Sequence, residues 1–352
     1  MTLDRLIDWN KLTGEHYGSE DQSMFFYAFI KMQRPETILE LGTGLGHSAF
    51  WMAQALKENG RGHLYTVENA AHWPGMVQVF AREARDGRIA ALLKDRPWFQ
   101  EVFDTFFPKQ LPPRGDKAFP DYFRCMEAVS KVLDLGPWTS FLKGTLSLED
   151  TLPLTAEAHP FLAPVLQRPL DLLYADFDHY PHAILTILAK YLPIMSEYAS
   201  IFIDSASTYL PSYLAIEQTV EQLNRGKLPA IFLAGTTREQ RAVLTDIVAT
   251  RRFTHVSLAE KKDRSQNGLS WIRIEPVNIV PYPLTAMRGF SAKPMPQESV
   301  ESFFQKGVLP ERHVKSAYLQ EQLTRAANNL SDDEVRALLA HIAARARGTG
   351  QP

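Results

Sequence analysis

The sequence predicts a doubly wound α/β protein built on a mostly parallel sheet, and three stretches carry that expectation. The first is Thr37–Leu41, a short apolar run suited to a buried parallel strand. Three glycines follow it, Gly42, Gly44 and Gly46, and a helix start reads from Ser48 to Leu56. The second is His63–Glu68, a strand that ends in an acid. The third is the apolar run from Leu170 that ends in Asp176-Phe177-Asp178-His179, followed by a helix over Pro181–Tyr191 and a strand over Ala199–Asp204. In an open parallel sheet, ligands bind outside the carboxyl ends of the strands. Glu40, Glu68, Asp176 and Asp204 are all expected there, on separate strands.

The strand, glycine turn and helix form a corner where backbone can approach a ligand without a Cβ in the way. A dinucleotide fingerprint, G-x-G-x-x-G, would want a small residue at position 47, and His47 stands there. The spacing is instead E-x-G-x-G-x-G from Glu40. Glu68 lies 22 residues after Gly46, a distance that places an acid at the tip of the second strand, ready to accept ribose hydroxyls. Taken alone, each feature has a plainer explanation: a glycine turn before an ordinary helix, and a solvated carboxylate at a strand end. Together they favour an adenosine site.

The E-x-G-x-G-x-G run resembles motif I of the class I methyltransferases that use S-adenosylmethionine (SAM). The resemblance covers about residues 17–275. It implies a Rossmann-like, seven-stranded sheet over 37–276, with SAM at Glu40, Gly42, Gly44, Gly46 and Glu68. It further implies adenine contacts after strand three, at Gly144, Thr145 and Leu146. The segment before motif I would fold over the methionine end of SAM, making Tyr17 and Ser19 candidate contacts; the helix there could equally just cover a sheet edge. The Asp-x-Asp-His run is similar to the strand-four ending of small-molecule methyltransferases. Asp176 is therefore a candidate both for cofactor contact and, with Asp178 and His179, for taking a proton from the acceptor. Histidine's ordinary pKa, about 6.5, suits such a base, although a structural His–carboxylate contact would look the same. Related metal-dependent enzymes carry Asp-Asn or Asp-Asp at strand five. Here Ser205 follows Asp204, and Phe177 stands where glycine is common, so no metal is expected.

The remaining elements fill in the fold. Residues 1–36 are expected to be helical, with an amphipathic helix over 1–16 and an aromatic one from Met24 to Met32, capped by Asp21 or Ser23. Strand three reads as Trp138–Lys143, about 70 residues after strand two. Ordinary α/β connections are much shorter, so an insertion of about 40 residues falls within 72–122. Its aromatics include Trp73, Trp98, Phe99, Phe103, Phe106, Phe107, Phe119, Tyr122 and Phe123. That composition predicts a compact helical cap, either a lid that excludes water from the site or a self-packed subdomain or dimer surface. A helix over Met126–Leu135 precedes strand three. After strand five come a helix over Leu214–Leu223 and a helix opened by the capping box Thr236–Glu239. The last hairpin is expected from Phe253–Leu258 and Leu269–Ile274. Residues 277–352 read as an extension, proline-rich to 296, with a terminal helix from Ser331 that would dock on the body or on a second subunit.

Composition narrows the class. With 45% hydrophobic and 22% charged residues the 352-residue chain is an ordinary globular protein. A net charge of −2 and the lack of a Lys/Arg stripe give no electrostatic footprint for nucleic acid. The single cysteine, Cys125, excludes an intrachain disulfide and Cys-based zinc sites and suits a reducing cytoplasm. No signal-peptide or membrane-spanning run is read from the sequence. The expected activity is methyl transfer from SAM to a hydroxyl or amine of a small, secondary metabolite. One alternative is cyclisation of SAM itself, in which its α-amine attacks its own γ-carbon to give azetidine-2-carboxylate and methylthioadenosine. Another is a non-catalytic nucleoside-binding protein. A small-molecule substrate and a homodimer are the expected partners.

Overall fold

The structure, a computed structural model, describes residues 2–13, 20–113, 116–146, 154–176, 178–234, 236–259 and 268–277. They belong to the first of two units of the chain, Met1–Asn278; the second, Ile279–Pro352, lies outside the described residues, together with the terminal helix expected there.

Seven strands form one sheet: β1 (Thr37–Leu41), β2 (His63–Glu68), β3 (Thr139–Lys143), β4 (Leu170–Ala175), β5 (Met195–Asp204), β6 (Arg251–Ala259) and β7 (Gly268–Pro276). Their order is β3-β2-β1-β4-β5-β7-β6. The first five pair in parallel, and β7 enters antiparallel between β5 and β6. This is the seven-stranded, mostly parallel sheet expected from the sequence. The order reverses between β1 and β4, which makes that junction the topological switch point, where ligands bind in such sheets.

Alternation along the strands sorts the core onto two faces. Ile38, Leu64, Leu172, Tyr174 and Phe202 pack under α1 (Thr2–Thr13), α2 (Glu20–Gln33) and α3 (His47–Asn59). Leu39, Leu41, Val67, Leu173, Ala175, Ile201 and Ile203 pack on the other side. Between β2 and β3 lie α4 (Trp73–Arg85), α5 (Arg88–Leu93), α6 (Gln100–Phe106) and α7 (Tyr122–Val132). On the second face lie α8 (Pro181–Tyr191), α9 (Leu210–Asn224), α10 (Ala230–Leu233) and α11 (Arg238–Thr250).

Several boundaries differ from the sequence reading for local reasons. Helix α2 begins at Glu20, so Asp21 and Ser23 lie inside it rather than at the N-cap position expected of them. There Asp21 sits in the first turn, where a negative charge complements the helix dipole, and Ser23 is buried. The capping box of α11 is Thr237 with Gln240, one residue later than expected. Thr236 instead donates its hydroxyl to the Leu233 carbonyl (2.8 Å). Helix α7 starts earlier than expected because Asp121 caps it, accepting from the Arg124 amide (2.9 Å). It stops before Leu135, where Asp134 turns left-handed (φ 56). Trp138 forms a 3-10 turn ahead of β3. Strand β5 begins four residues before Ala199, its polar start Ser196-Glu197-Tyr198 absorbed by an irregularity in its register with β4.

The insertion is compact and aromatic. Phe80, Phe99, Phe103 and Phe107 are almost wholly buried, and Phe106 is 7% exposed. They pack in one core with Trp9 of α1 and Phe50 of α3. Trp9 lies 5.3 Å from Phe99 and 6.1 Å from Phe103, ring centre to ring centre. Most of the rings that a lid would present to substrate are therefore committed to packing. Trp98 is exposed and Phe119 and Phe123 are half-buried.

Candidate active site

The turn after β1 is built for close approach. Gly42, Gly44 and Gly46 all have positive φ (94, 55 and 76). A Cβ on Gly42 would lie 1.9 Å from the Asp176 carbonyl oxygen, so no other residue fits there. Gly46 opens α3 in the left-handed region, with no side-chain cap on the helix. The turn is tied down by Gly42 N–H to Val67 O (3.0 Å) and Gly46 N–H to Thr43 O (2.8 Å).

Glu68 stands at the tip of β2, half-buried, and faces the turn. Its Oε2 accepts from the amides of Thr43 and Gly44 (both 3.2 Å). Its Oε1 accepts from Asn69 (3.0 Å) and Ala70 (2.9 Å). Four backbone donors thus fix one carboxylate beside the glycines. Gly144, just past β3, donates its amide to the Glu68 carbonyl (3.1 Å), which brings Thr145 and Leu146 to the same edge; Thr145 is exposed and Leu146 half-buried. Tyr17 and Ser19 lie outside the described residues.

Glu40 is placed differently from the strand-end position expected of it. It lies one residue inside β1 and is fully buried. Ser48 and Thr66 each donate a hydroxyl to it at 2.5 Å. Burial pushes its pKa up to about 8, despite those two hydrogen bonds. Its carboxyl group lies beneath the turn and links β1 to β2 and α3.

A second group sits at the tips of β4 and β5. Ligand atoms of Asp176, His179 and Asp204 lie within 4.8 Å of one another. Burial holds the Asp176 pKa well above the usual carboxylate range, and the neighbouring charges of Asp204 and Glu40 push it the same way. His179 Nδ1 lies 3.1 Å from the Asp204 backbone carbonyl, which can only accept. That contact assigns the proton to Nδ1 and makes Nε2 the basic atom. Asp178 stands apart from the group: its Oδ1 accepts from the Tyr180 amide (3.0 Å) and shapes the turn into α8. The two groups abut, since Asp176 donates its amide to the Leu41 carbonyl (2.8 Å) beside Gly42.

Two residues hold Asp204, of which the sequence reading names Ser205 only as the neighbour of Asp204 and does not name Gln22. Gln22 of α2 donates to Asp204 Oδ1 and to the Tyr174 hydroxyl, both at 2.9 Å. Ser205 donates to Asp204 Oδ2 (2.7 Å) from a left-handed backbone (φ 54). A non-glycine residue in that region is uncommon and is concentrated at functional turns. The Asp-Ser pair carries the Ser205 signal in sequence. Nothing local points to Gln22, because the contact spans 182 residues.

Residues 39–206, just under half of the chain, match the family model described as a methyltransferase domain, Methyltransf_24. The matched segment runs from β1 through the end of β5. No curated sequence matches the chain. Among solved structures, the chain is similar to an O-methyltransferase from Bacillus cereus in complex with SAH, the demethylated form of SAM (14% identity, TM-score 0.40, covering 78% of this chain and 90% of that one). It is also similar to the O-methyltransferase TomG from Streptomyces achromogenes, involved in tomaymycin synthesis, in complex with SAM (15%, 0.37, 77% and 89%). A third is the SAH-bound methyltransferase PaMTH1 of Podospora anserina (14%, 0.35, 77% and 87%). None of these likenesses is close enough to carry a substrate or a residue role to this chain. Among the described residues, no helix is long and apolar enough to cross a membrane.

Proposed function

We propose that this protein is a SAM-dependent methyltransferase acting on a hydroxyl or amine of a small molecule. The observation that carries the reading is the contact of Gly42 with Asp176, which sets the glycine corner against the Asp176–His179–Asp204 group at the switch point of the sheet. The donor set fits the cofactor. Glu68, already oriented by four amides, can take the two ribose hydroxyls. The three glycines leave backbone open to the ligand.

When bound, SAM supplies an electrophilic methyl carbon. The acceptor heteroatom forms a bond to that carbon while the carbon–sulfur bond breaks, its electron pair staying on sulfur. The chain's part is to hold the two in line and to receive the acceptor's proton. His179 Nε2 is the assigned base. Asp204 orients it through the backbone carbonyl, and Gln22 and Ser205 fix the Asp204 carboxylate. Asp176, His179 and Asp204 could also hold a divalent cation, which would acidify an acceptor hydroxyl. Chelation followed by metal add-back tests that part.

The experiment is incubation of the protein with SAM, alone and with a panel of small hydroxylated and amine acceptors, with the products read by mass spectrometry. SAH together with a methylated acceptor supports the reading. Methylthioadenosine and a four-carbon cyclic amino acid from SAM alone would replace it with SAM cyclisation. Absence of SAM binding would leave a non-catalytic protein.

A further inference from the structure

Three glycines in five residues make the turn after β1 the most permissive stretch of backbone at the site. A ligand that needs it in one shape gains affinity if the protein has ordered it beforehand. The amides of the turn are held by Val67 and Glu68 of β2 and, for Gly46, by the Thr43 carbonyl within the turn. Two of its carbonyls are held from outside it. The Tyr122 hydroxyl donates to the Gly44 carbonyl (2.9 Å), and Trp9 Nε1 donates to the Leu45 carbonyl (2.9 Å). Tyr122 comes from the far end of the insertion and Trp9 from the N-terminal helix.

Both donors are anchored in the same aromatic block. Tyr122 packs edge-on against Trp73 (5.4 Å), which packs on Phe107 (5.5 Å) and donates Nε1 to the Pro120 carbonyl (2.6 Å), closing the two ends of the insertion on each other. Phe103 lies 5.0 Å from Phe107 and 6.1 Å from Trp9. A third tie runs from the same helix: Thr13 gives its hydroxyl proton to Trp9 O (2.7 Å), so its oxygen receives the Nε2 proton of His47 (2.6 Å), the first residue of α3.

We propose that the aromatic insertion and the N-terminal helix form a brace that holds the glycine turn in its cofactor-binding shape, through Tyr122 on the Gly44 carbonyl and Trp9 on the Leu45 carbonyl. This rests on the reading that the turn receives SAM. It assigns the insertion to cofactor affinity and makes Tyr122 and Trp9 positioning residues. The aromatic rings supply the stiffness, and the two polar hydrogens supply the register.

The test uses Tyr122→Phe and Trp9→Phe in the full chain, which keep aromatic rings and remove the two donors, with Phe106→Leu as a packing control. Calorimetry reads the SAM dissociation constant, hydrogen exchange reads the peptides covering residues 42–47, and thermal melting reads stability. Each donor variant is expected to weaken SAM binding about tenfold, the scale of a buried acceptor left unpaired, and to speed exchange at the turn. Phe106→Leu is expected to lower the melting temperature with SAM affinity and turn exchange unchanged. Donor variants that melt early like the control, yet bind SAM and exchange at the turn as the wild type does, would overturn the brace. A wild type that binds no SAM would instead remove the cofactor reading, and exchange at the turn would still decide whether the brace exists.

Discussion

The acids of the β1–β2 corner and those of the β4–β5 tips are handled in opposite ways. At the corner each carboxylate is surrounded by neutral donors: two hydroxyls on Glu40 and four amides on Glu68. At the tips, two carboxylates and an imidazole are gathered within 4.8 Å, and the charge of Asp204 adds to burial in raising Asp176. Satisfied carboxylates are rigid recognition elements. Crowded like charges store a tendency to take up a proton or a cation, as groups arranged for chemistry do. On the proposed function, the difference separates a corner suited to binding from a pair of tips suited to reaction.

The strongest way to break the comparison is to remove the contact between the two regions. Gly42→Ala drives a Cβ to 1.9 Å from the Asp176 carbonyl at a φ of +94. We expect a loss of about 4 kcal/mol or more of stability and of both SAM binding and turnover, measured by chemical denaturation and calorimetry. His179→Ala should then divide the regions: turnover falls at least about 100-fold, the scale of a general base, while SAM affinity stays within about threefold. Glu68→Ala should do the reverse, weakening SAM by about 1.5–3 kcal/mol with a smaller effect on turnover at saturating SAM.

The smallest effect is a pH dependence. Glu40 has its folded pKa raised to about 8 from 4.5, so between these values the folded state holds a proton that the unfolded chain has lost. Its contribution to stability is therefore present at low pH and fades as pH rises to about 8. His47, buried and lowered from 6.5 to about 4, acts in the opposite sense below 6.5, because only the unfolded chain is protonated there. Above 6.5 the Glu40 effect is unopposed by His47, and the raised Asp176 adds to it. Glu40→Gln should reduce the loss of stability between pH 6.5 and 8 by up to about 1.4 kcal/mol per pH unit, read from denaturation midpoints. An unchanged slope would mean that Glu40 does not titrate in this window.

Where the chemistry is local, the sequence was legible. Strands β1 and β2 and helix α8 fall on the predicted residues because a mostly apolar run, the glycines before and after the strands and an N-terminal proline mark their ends. The strand-end positions of Glu68, Asp176 and Asp204 follow from the same runs. Glu40 was misplaced because spacing reports its distance from the glycines but not which face of β1 it occupies. Gln22, Tyr122 and Trp9 could not be read, since their contacts span 182, 78 and 36 residues and depend on helix packing. The insertion was visible as an excess of aromatics. Its attachment to the glycine turn was not, because composition does not say what a ring packs against.

The most direct measurement is one calorimetric series in which SAM is titrated into the wild type, Glu68→Ala and His179→Ala under identical conditions. The account predicts saturable binding to the wild type, binding at least tenfold weaker to Glu68→Ala, and near-wild-type binding to His179→Ala. Equal affinities for the wild type and Glu68→Ala, or binding lost only in His179→Ala, would contradict the assignment of recognition to the β1–β2 corner.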